Sequence, residues 1–121
     1  MELNFNSFYD YILSLDDQIR FIGFIDEMGK LAFGGMKPGV TSIEHELESI
    51  KIYMDYALIN KIHSDVDDMF GKVIYSLTMR EKIKILNFPL DNYILRISLE
   101  KQTDHEKILQ SILKYLKTNL N

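Results

Sequence analysis

The stretch Lys72–Glu100, KVIYSLTMREKIKILNFPLDNYILRISLE, decides the fold. Val73, Tyr75, Leu77 and Met79 alternate with Lys72, Ser76, Thr78 and Arg80, the period of two of a half-exposed strand over 72–80. Ile83, Ile85, Leu86 and Phe88 form a second strand that Pro89 closes near an Asp91-Asn92 turn. Tyr93, Ile94, Leu95, Ile97 and Leu99 form a third, apolar on both faces except at Arg96 and Ser98. A parallel return would need a crossover of a dozen residues or more, so links this short impose antiparallel hairpins. The charged, alternating strand suits a sheet edge, and the strand apolar on both faces suits a central position covered by helices.

The rest of the chain supplies the missing layers. Phe5, Phe8, Tyr9, Ile12 and Leu15 share one face of a helix over 4–17, with Asn4 as N-cap. Ile19–Ile25 reads as a strand, Asp26-Glu27-Met28-Gly29 as a turn, and Leu31-Ala32-Phe33 as its returning partner. Gly34-Gly35-Met36-Lys37-Pro38-Gly39 breaks regular structure. Thr41 and Glu44 form a capping box opening a helix over 41–62. His63-Ser64-Asp65 interrupts it or, with Val66, Met69 and Phe70, prolongs it to Gly71. Thr103 and Glu106 form a second capping box, before a helix marked by Ile108, Leu109, Ile112, Leu113 and Leu116. The order α-β-β-α-β-β-β-α describes an α+β sandwich, an antiparallel sheet with helices on its faces, in a single domain over 1–121.

Composition excludes several classes of function. With 121 residues, 46% hydrophobic and 26% charged, the chain is an ordinary globular one. It has no cysteine, which removes disulfides, thiol catalysis and Cys-based metal centres together. No apolar run approaches the ~18 residues of a membrane span, and the Met-Glu start lacks a signal-peptide pattern, so a cytoplasmic location without membrane insertion is expected. The net charge of −4 hides an asymmetry: residues 1–71 hold 13 acids and 5 bases, residues 72–121 hold 5 acids and 9 bases. Lys72, Arg80, Lys82 and Lys84 form the one local basic group, diluted by Glu81, too few converging cations for a nucleic-acid site.

The run Arg20-Phe21-Ile22-Gly23-Phe24-Ile25-Asp26, followed by Gly29-Lys30-Leu31 and Gly34-Gly35-Met36, resembles the Roadblock group of profilin-like domains. It looks closer still to a single-domain family from ammonia-oxidising (thaumarchaeal) archaea. The shared features are Arg20–Gly23, the Gly-Gly-Met-x-x-Gly-Val turn at Gly34–Val40, Arg80-Glu81-Lys82 and Asn87-Phe88-Pro89-Leu90. The similarity spans nearly the whole chain, and its motifs are structural, not catalytic. The resemblance implies a five-stranded sheet of order 2-1-5-4-3 and a non-enzymatic module without cofactor. It also implies a homodimer, or a heterodimer with a related domain, built on the long helix and the following edge strand, and a role as scaffold or regulator of small GTPases.

Candidate chemical motifs fail on their spacing. The segment Gly34–Thr41 approaches a P-loop, but Val40 stands where the phosphate-binding Lys is required. His45 among Glu44, Glu46 and Glu48 lacks the second His four residues on, where Ser49 stands. A calcium loop from Asp65, after His63 and with Asp67 and Asp68, would meet Met69 and Phe70 at a ligand position and at the obligatory Gly. His105 follows the cap and is expected at the surface. No Ser or Thr stands in a Gly-x-Ser-x-Gly elbow, so an enzyme is the least supported reading.

The informative feature is the helix over 41–62, which carries two apolar sides. Ile43, Leu47, Ile50, Met54, Ala57 and Leu58 form one stripe, taken as the sheet-facing one. Ile52, Tyr56 and Ile59 lie roughly opposite and are assigned to a partner, together with Val73, Tyr75, Leu77 and Met79 of the edge strand. Cover by the chain's own segment 63–70 is the competing reading. A second function class is a sensory, PAS-like domain holding a small molecule between helix and sheet. Its expected lining is Phe21, Gly23, Met28, Phe33 and Met36, with Gly23 leaving room for the ligand.

Overall fold

The computed structural model describes residues 4–39 and 46–119, and of 46–50 only the helical backbone. Its elements are α1 (Phe5–Leu13), β1 (Ile19–Asp26), β2 (Leu31–Met36), α2 (Glu46–Ser64), α3 (Asp67–Phe70), β3 (Ser76–Met79), β4 (Ile83–Pro89), β5 (Tyr93–Glu100) and α4 (His105–Asn119). The five strands form one antiparallel sheet in the order β2-β1-β5-β4-β3, the order that the resemblance implies.

Local chemistry sets most boundaries. Asn4 caps α1 by accepting the Ser7 N–H at 3.0 Å. The helix stops at Leu13, short of 17: the Ser14 hydroxyl turns back onto the Tyr11 carbonyl, and the Asp16 carboxylate takes the Gln18 N–H. In the β1–β2 turn the Asp26 carboxylate accepts from Met28 and Lys30 N–H groups, and Gly29 adopts a φ of 79°. Thr103 and Glu106 do not make the expected capping box. Asp104 accepts the Lys107 N–H instead, while the buried Thr103 hydroxyl donates to the Glu100 carbonyl. The Thr41–Glu44 box lies outside the described residues.

The edge strand is shorter than the alternation over 72–80 suggests. Pairing runs from Ser76 opposite Asn87 to Met79 opposite Lys84. Continued two residues further, the register would set Ile74 against Pro89, which has no N–H to give, so the ladder ends.

One face of the sheet carries the main core. Phe8 and Ile12 of α1 and Ile108, Leu109 and Ile112 of α4 pack on Ile22, Phe24, Leu86, Phe88, Leu95, Ile97 and Leu99. Tyr115 of α4 stacks on Phe8 and Tyr11 of α1, at ring-centroid distances of 4.5 and 4.6 Å. The opposite face carries α2, where Tyr53 and the half-buried Ile52 pack on Phe21 and Ile25. Gly29 makes this approach possible, because a Cβ there would stand 2.7 Å from the Met54 Cα. Beyond α2 the chain turns at Asp65–Val66, makes the single turn α3 and reverses at Gly71, with φ 81°.

Candidate functional site

The sheet face beneath α2 is unusually polar. Cross-strand partners share a face, so Arg96, Ser98 and Asn87, all buried, lie under or beside this helix with Ser76 and Thr78 further toward the edge. Arg96 is 3% exposed, and its guanidinium carbon sits 5.3, 5.7 and 5.5 Å from the ring centroids of Phe21, Tyr53 and Tyr56. Three aromatic faces thus surround one cation, and their quadrupoles offset part of its desolvation.

This cage orients the helix and corrects the assignment of its sides. Ile52 and Tyr56 were expected to meet a partner; both are half-buried and turned toward the chain's own sheet. Met54 and Leu58, expected against the sheet, are 55% and 58% exposed. The helix is apolar around most of its circumference, so its period alone cannot select the inward side. The buried guanidinium does, by drawing Tyr53 and Tyr56 onto it. Leu47 and Ile50 belong to the part of α2 whose side chains lie outside the described residues, and Ile43 precedes it. Ile59, 45% exposed, stands between the outward side and β3.

The edge-strand residues also divide. Val73 precedes the strand and faces a cleft beside α2. Tyr75, also outside the strand, is exposed and lies 6.4 Å from the Phe88 ring. Leu77 and Met79 are exposed on the α1/α4 side, opposite Leu86 and Lys84 in the register. The segment 63–70 does not cover α2: Val66, Met69 and Phe70 are themselves exposed.

The expected ligand pocket is not assembled. Phe21, Gly23 and Met36 belong to the α2 side, whereas Phe33 packs with Phe5, Tyr9 and Phe24 on the other side, and Met28 is 75% exposed at the turn. The space beside Gly23 is filled, since a Cβ there would fall 2.4 Å from the Phe21 ring and 2.8 Å from Leu31 Cδ1. Close packing is the role of this glycine.

A different recess forms between the second half of α2 and β3–β4. Tyr56, Ile59, Asn60 and His63 line one wall, and Ser76, Thr78, Asn87 and Ile94 the other, around 220 Å³. Sequence reasoning passed over it, although Asn87 set between Leu86 and Phe88 in a buried strand was its signal. The basic group also dissolves. Lys84 is buried, donates to the Thr103 carbonyl at 2.6 Å and lies 3.1 Å from Nδ1 of His105, which is half-buried against it rather than at the surface. Among the described residues no three His, Asp or Glu side chains converge as metal ligands, and no helix is long and apolar enough to cross a membrane. His45, Glu44, Val40 and Thr41 lie outside the described residues.

No protein-family model and no curated protein matches the sequence. Solved structures do match the fold. A Roadblock/LC7 domain from Streptomyces avermitilis superposes with a TM-score of 0.65 at 6% identity, over 98% of each chain. MglB in a tetrameric arrangement gives 0.71 at 10% identity, over 91% of this chain and 79% of that one. MglC from Myxococcus xanthus gives 0.60 at 13% identity, over 96% of this chain and 98% of that one. Strand order, helices on both faces and near-complete coverage agree, and in its fold the chain is a Roadblock-like domain.

Proposed function

We propose that the chain is a non-enzymatic dimerisation and scaffold module that pairs with a second copy through the outward side of α2 and the edge of β3. One observation carries this reading. Among the described residues thirteen large hydrophobic side chains are exposed, and all but Met28 and Leu31 fall between Met54 and Met79. Scattered exposed apolar residues need no explanation, but Met54, Leu58, Ile59 and Ile62 gathered on one helix form a row that another molecule can cover, while Tyr75, Leu77 and Met79 stand on the other face of the sheet at its edge. At 100° per residue Leu58 and Ile62 point directly away from the sheet, with Ile59 leaning toward β3.

The strand order supports the same reading. β3 terminates the sheet, so its outer N–H and C=O groups are available for a strand from a second copy. Two-fold pairing would present the same α2 row and the same edge from each protomer. The solved MglB with a tetrameric arrangement shows that this fold assembles in that protein. For a client of the assembled module, the Roadblock resemblance suggests a small GTPase. Binding of GTP- and GDP-loaded host GTPases to the purified dimer tests that part.

The primary test is size-exclusion chromatography with light scattering at micromolar concentration. Twice the chain mass of 14.2 kDa is expected for the native sequence, and the single-chain mass for Leu58→Glu. A native sequence that stays at the single-chain mass at high concentration overturns the proposal.

A further inference from the structure

Two surfaces of complementary character stand at opposite ends of the edge strand. Before it, Met69 and Phe70 of α3 are 72% and 80% exposed, beside the exposed carboxylates of Asp65 and Asp68. After it, in the hairpin that joins β3 to β4, Arg80 and Lys82 are exposed next to Leu77 and Met79. Residues 65–70 hold three acids and no base, whereas 80–82 hold two bases and one acid. Among the described residues Asp65, Asp68, Arg80 and Lys82 form no ion pair within their own chain.

The fold sets where these surfaces would meet. Asp67 of α3 shares a cleft with Val73 and Ile74, which precede β3, and with Leu113 and Leu116 of α4. The turn α3 therefore stays at the end of the sheet where β3 begins, alongside α4. The outer edge of β3 is free to pair: the Arg80 N–H donates to the Ile83 carbonyl at 2.9 Å, so by alternation Ser76 and Thr78 also turn toward β4 and Leu77 and Met79 turn their backbone groups outward. With both α2 rows in one interface on the same side of the sheet, the two-fold axis crosses the sheet and the paired β3 strands run antiparallel. The start of β3 in one copy then lies beside the end of β3 in the other.

The geometry points to a contact between copies in which α3 of one protomer lies on the β3–β4 hairpin of its partner. Met69 and Phe70 cover Leu77 and Met79 there, and Asp65 and Asp68 face Arg80 and Lys82. Two α3 turns do not meet each other, because antiparallel pairing holds them at opposite ends of the strands. The inference rests on the assembly reading and deepens it, by supplying a cover for Leu77 and Met79, which stand on the face of the sheet away from α2.

The chain has no cysteine, so one introduced thiol per copy makes every cross-link an intermolecular one. Met69→Cys copies are mixed with affinity-tagged Lys82→Cys copies and treated with a short bis-maleimide, and the tag separates the three linked species by mass. The mixed species is expected well above its statistical share. Independently, Asp65→Lys with Asp68→Lys, and Arg80→Asp with Lys82→Asp, are each expected to weaken the dimer about tenfold at low salt, since exposed pairs are individually weak but two-fold symmetry repeats them. All four changes in one chain should restore the native Kd, and high salt should level the differences. These positions are exposed, so the variants are expected to keep the fold. A native chain of twice the single-chain mass in which the mixed link stays at its statistical share, or in which the fourfold variant binds no tighter than the doubles, overturns the α3 contact and leaves the assembly reading standing. A native chain of single-chain mass overturns both.

Discussion

Leu58→Glu separates assembly from folding because the side chain stands clear of the chain's own core. Full burial of a leucine is worth ~1.5–3 kcal/mol. With 58% of Leu58 still exposed in the single chain, covering the remainder is worth ~1–1.7 kcal/mol per copy. Two-fold symmetry places the residue in the interface twice, giving ~2–3.5 kcal/mol, or a Kd weakened roughly 30- to 300-fold before any cost of desolvating the new carboxylate. Fold stability should move by no more than ~0.5 kcal/mol, as for an ordinary surface change. Tyr53→Ala supplies the contrast. That side chain is 7% exposed and covers both Phe21 and the Arg96 guanidinium, so its removal should cost ~3–5 kcal/mol. In a domain of this size such a loss lowers Tm by about 10 °C or more. Light scattering across a concentration series reads the first effect and thermal melting by circular dichroism the second. Unchanged mass for Leu58→Glu, or a melt as early as that of Tyr53→Ala, would refute the division of α2 into an inward and an outward side.

Substitutions at three other positions probe the scaffold that carries this surface. Gly29→Ala combines a φ of 79° with a Cβ 2.7 Å from the Met54 Cα, and should cost ~2–4 kcal/mol while loosening α2, seen as a lower Tm and faster proteolysis within the helix. Asp104→Ala should lower stability by ~1 kcal/mol through loss of the cap on the Lys107 N–H, and Asp104→Ser should recover most of it in chemical denaturation. Glu100→Gln breaks the 2.6 Å bridge to Arg20; with the glutamate side chain 35% exposed the loss should stay below ~1 kcal/mol and shrink further at high salt.

Much of the architecture was legible in local pattern. Alternation, the Asn4 cap, the Asp26–Gly29 turn and the short hairpin links are each decided by neighbours along the chain, and they led to the right elements in the right sequential order, apart from the single turn α3 and from Gly34–Met36, which continue β2 by pairing with β1 instead of breaking it. The sheet order came from the resemblance and agrees with the structure. Where two neighbouring residues could serve, as with Thr103 and Asp104, the local rule found the cap but missed its register by one. The end of β3 could be deduced only once Ile74 and Pro89 were known to face each other across the ladder.

The candidate surface was legible as an excess and not as a place. Counting apolar residues on the helix established that one side had to lie away from the sheet, because a helix resting on a sheet buries a single stripe. Which side depended on Arg96, more than thirty positions away along the chain, whose buried charge required the rings of Tyr53 and Tyr56. The recess around Asn87 has the same origin: its walls come from α2 and three strands, β3, β4 and β5, that only the folded sheet brings against the helix. Sequence determines a property such as amphipathicity, periodicity or a turn when the forces that set it act between residues close along the chain. The direction of a helix whose apolar residues are spread around its circumference is set by a long-range contact, and tertiary structure alone decides it.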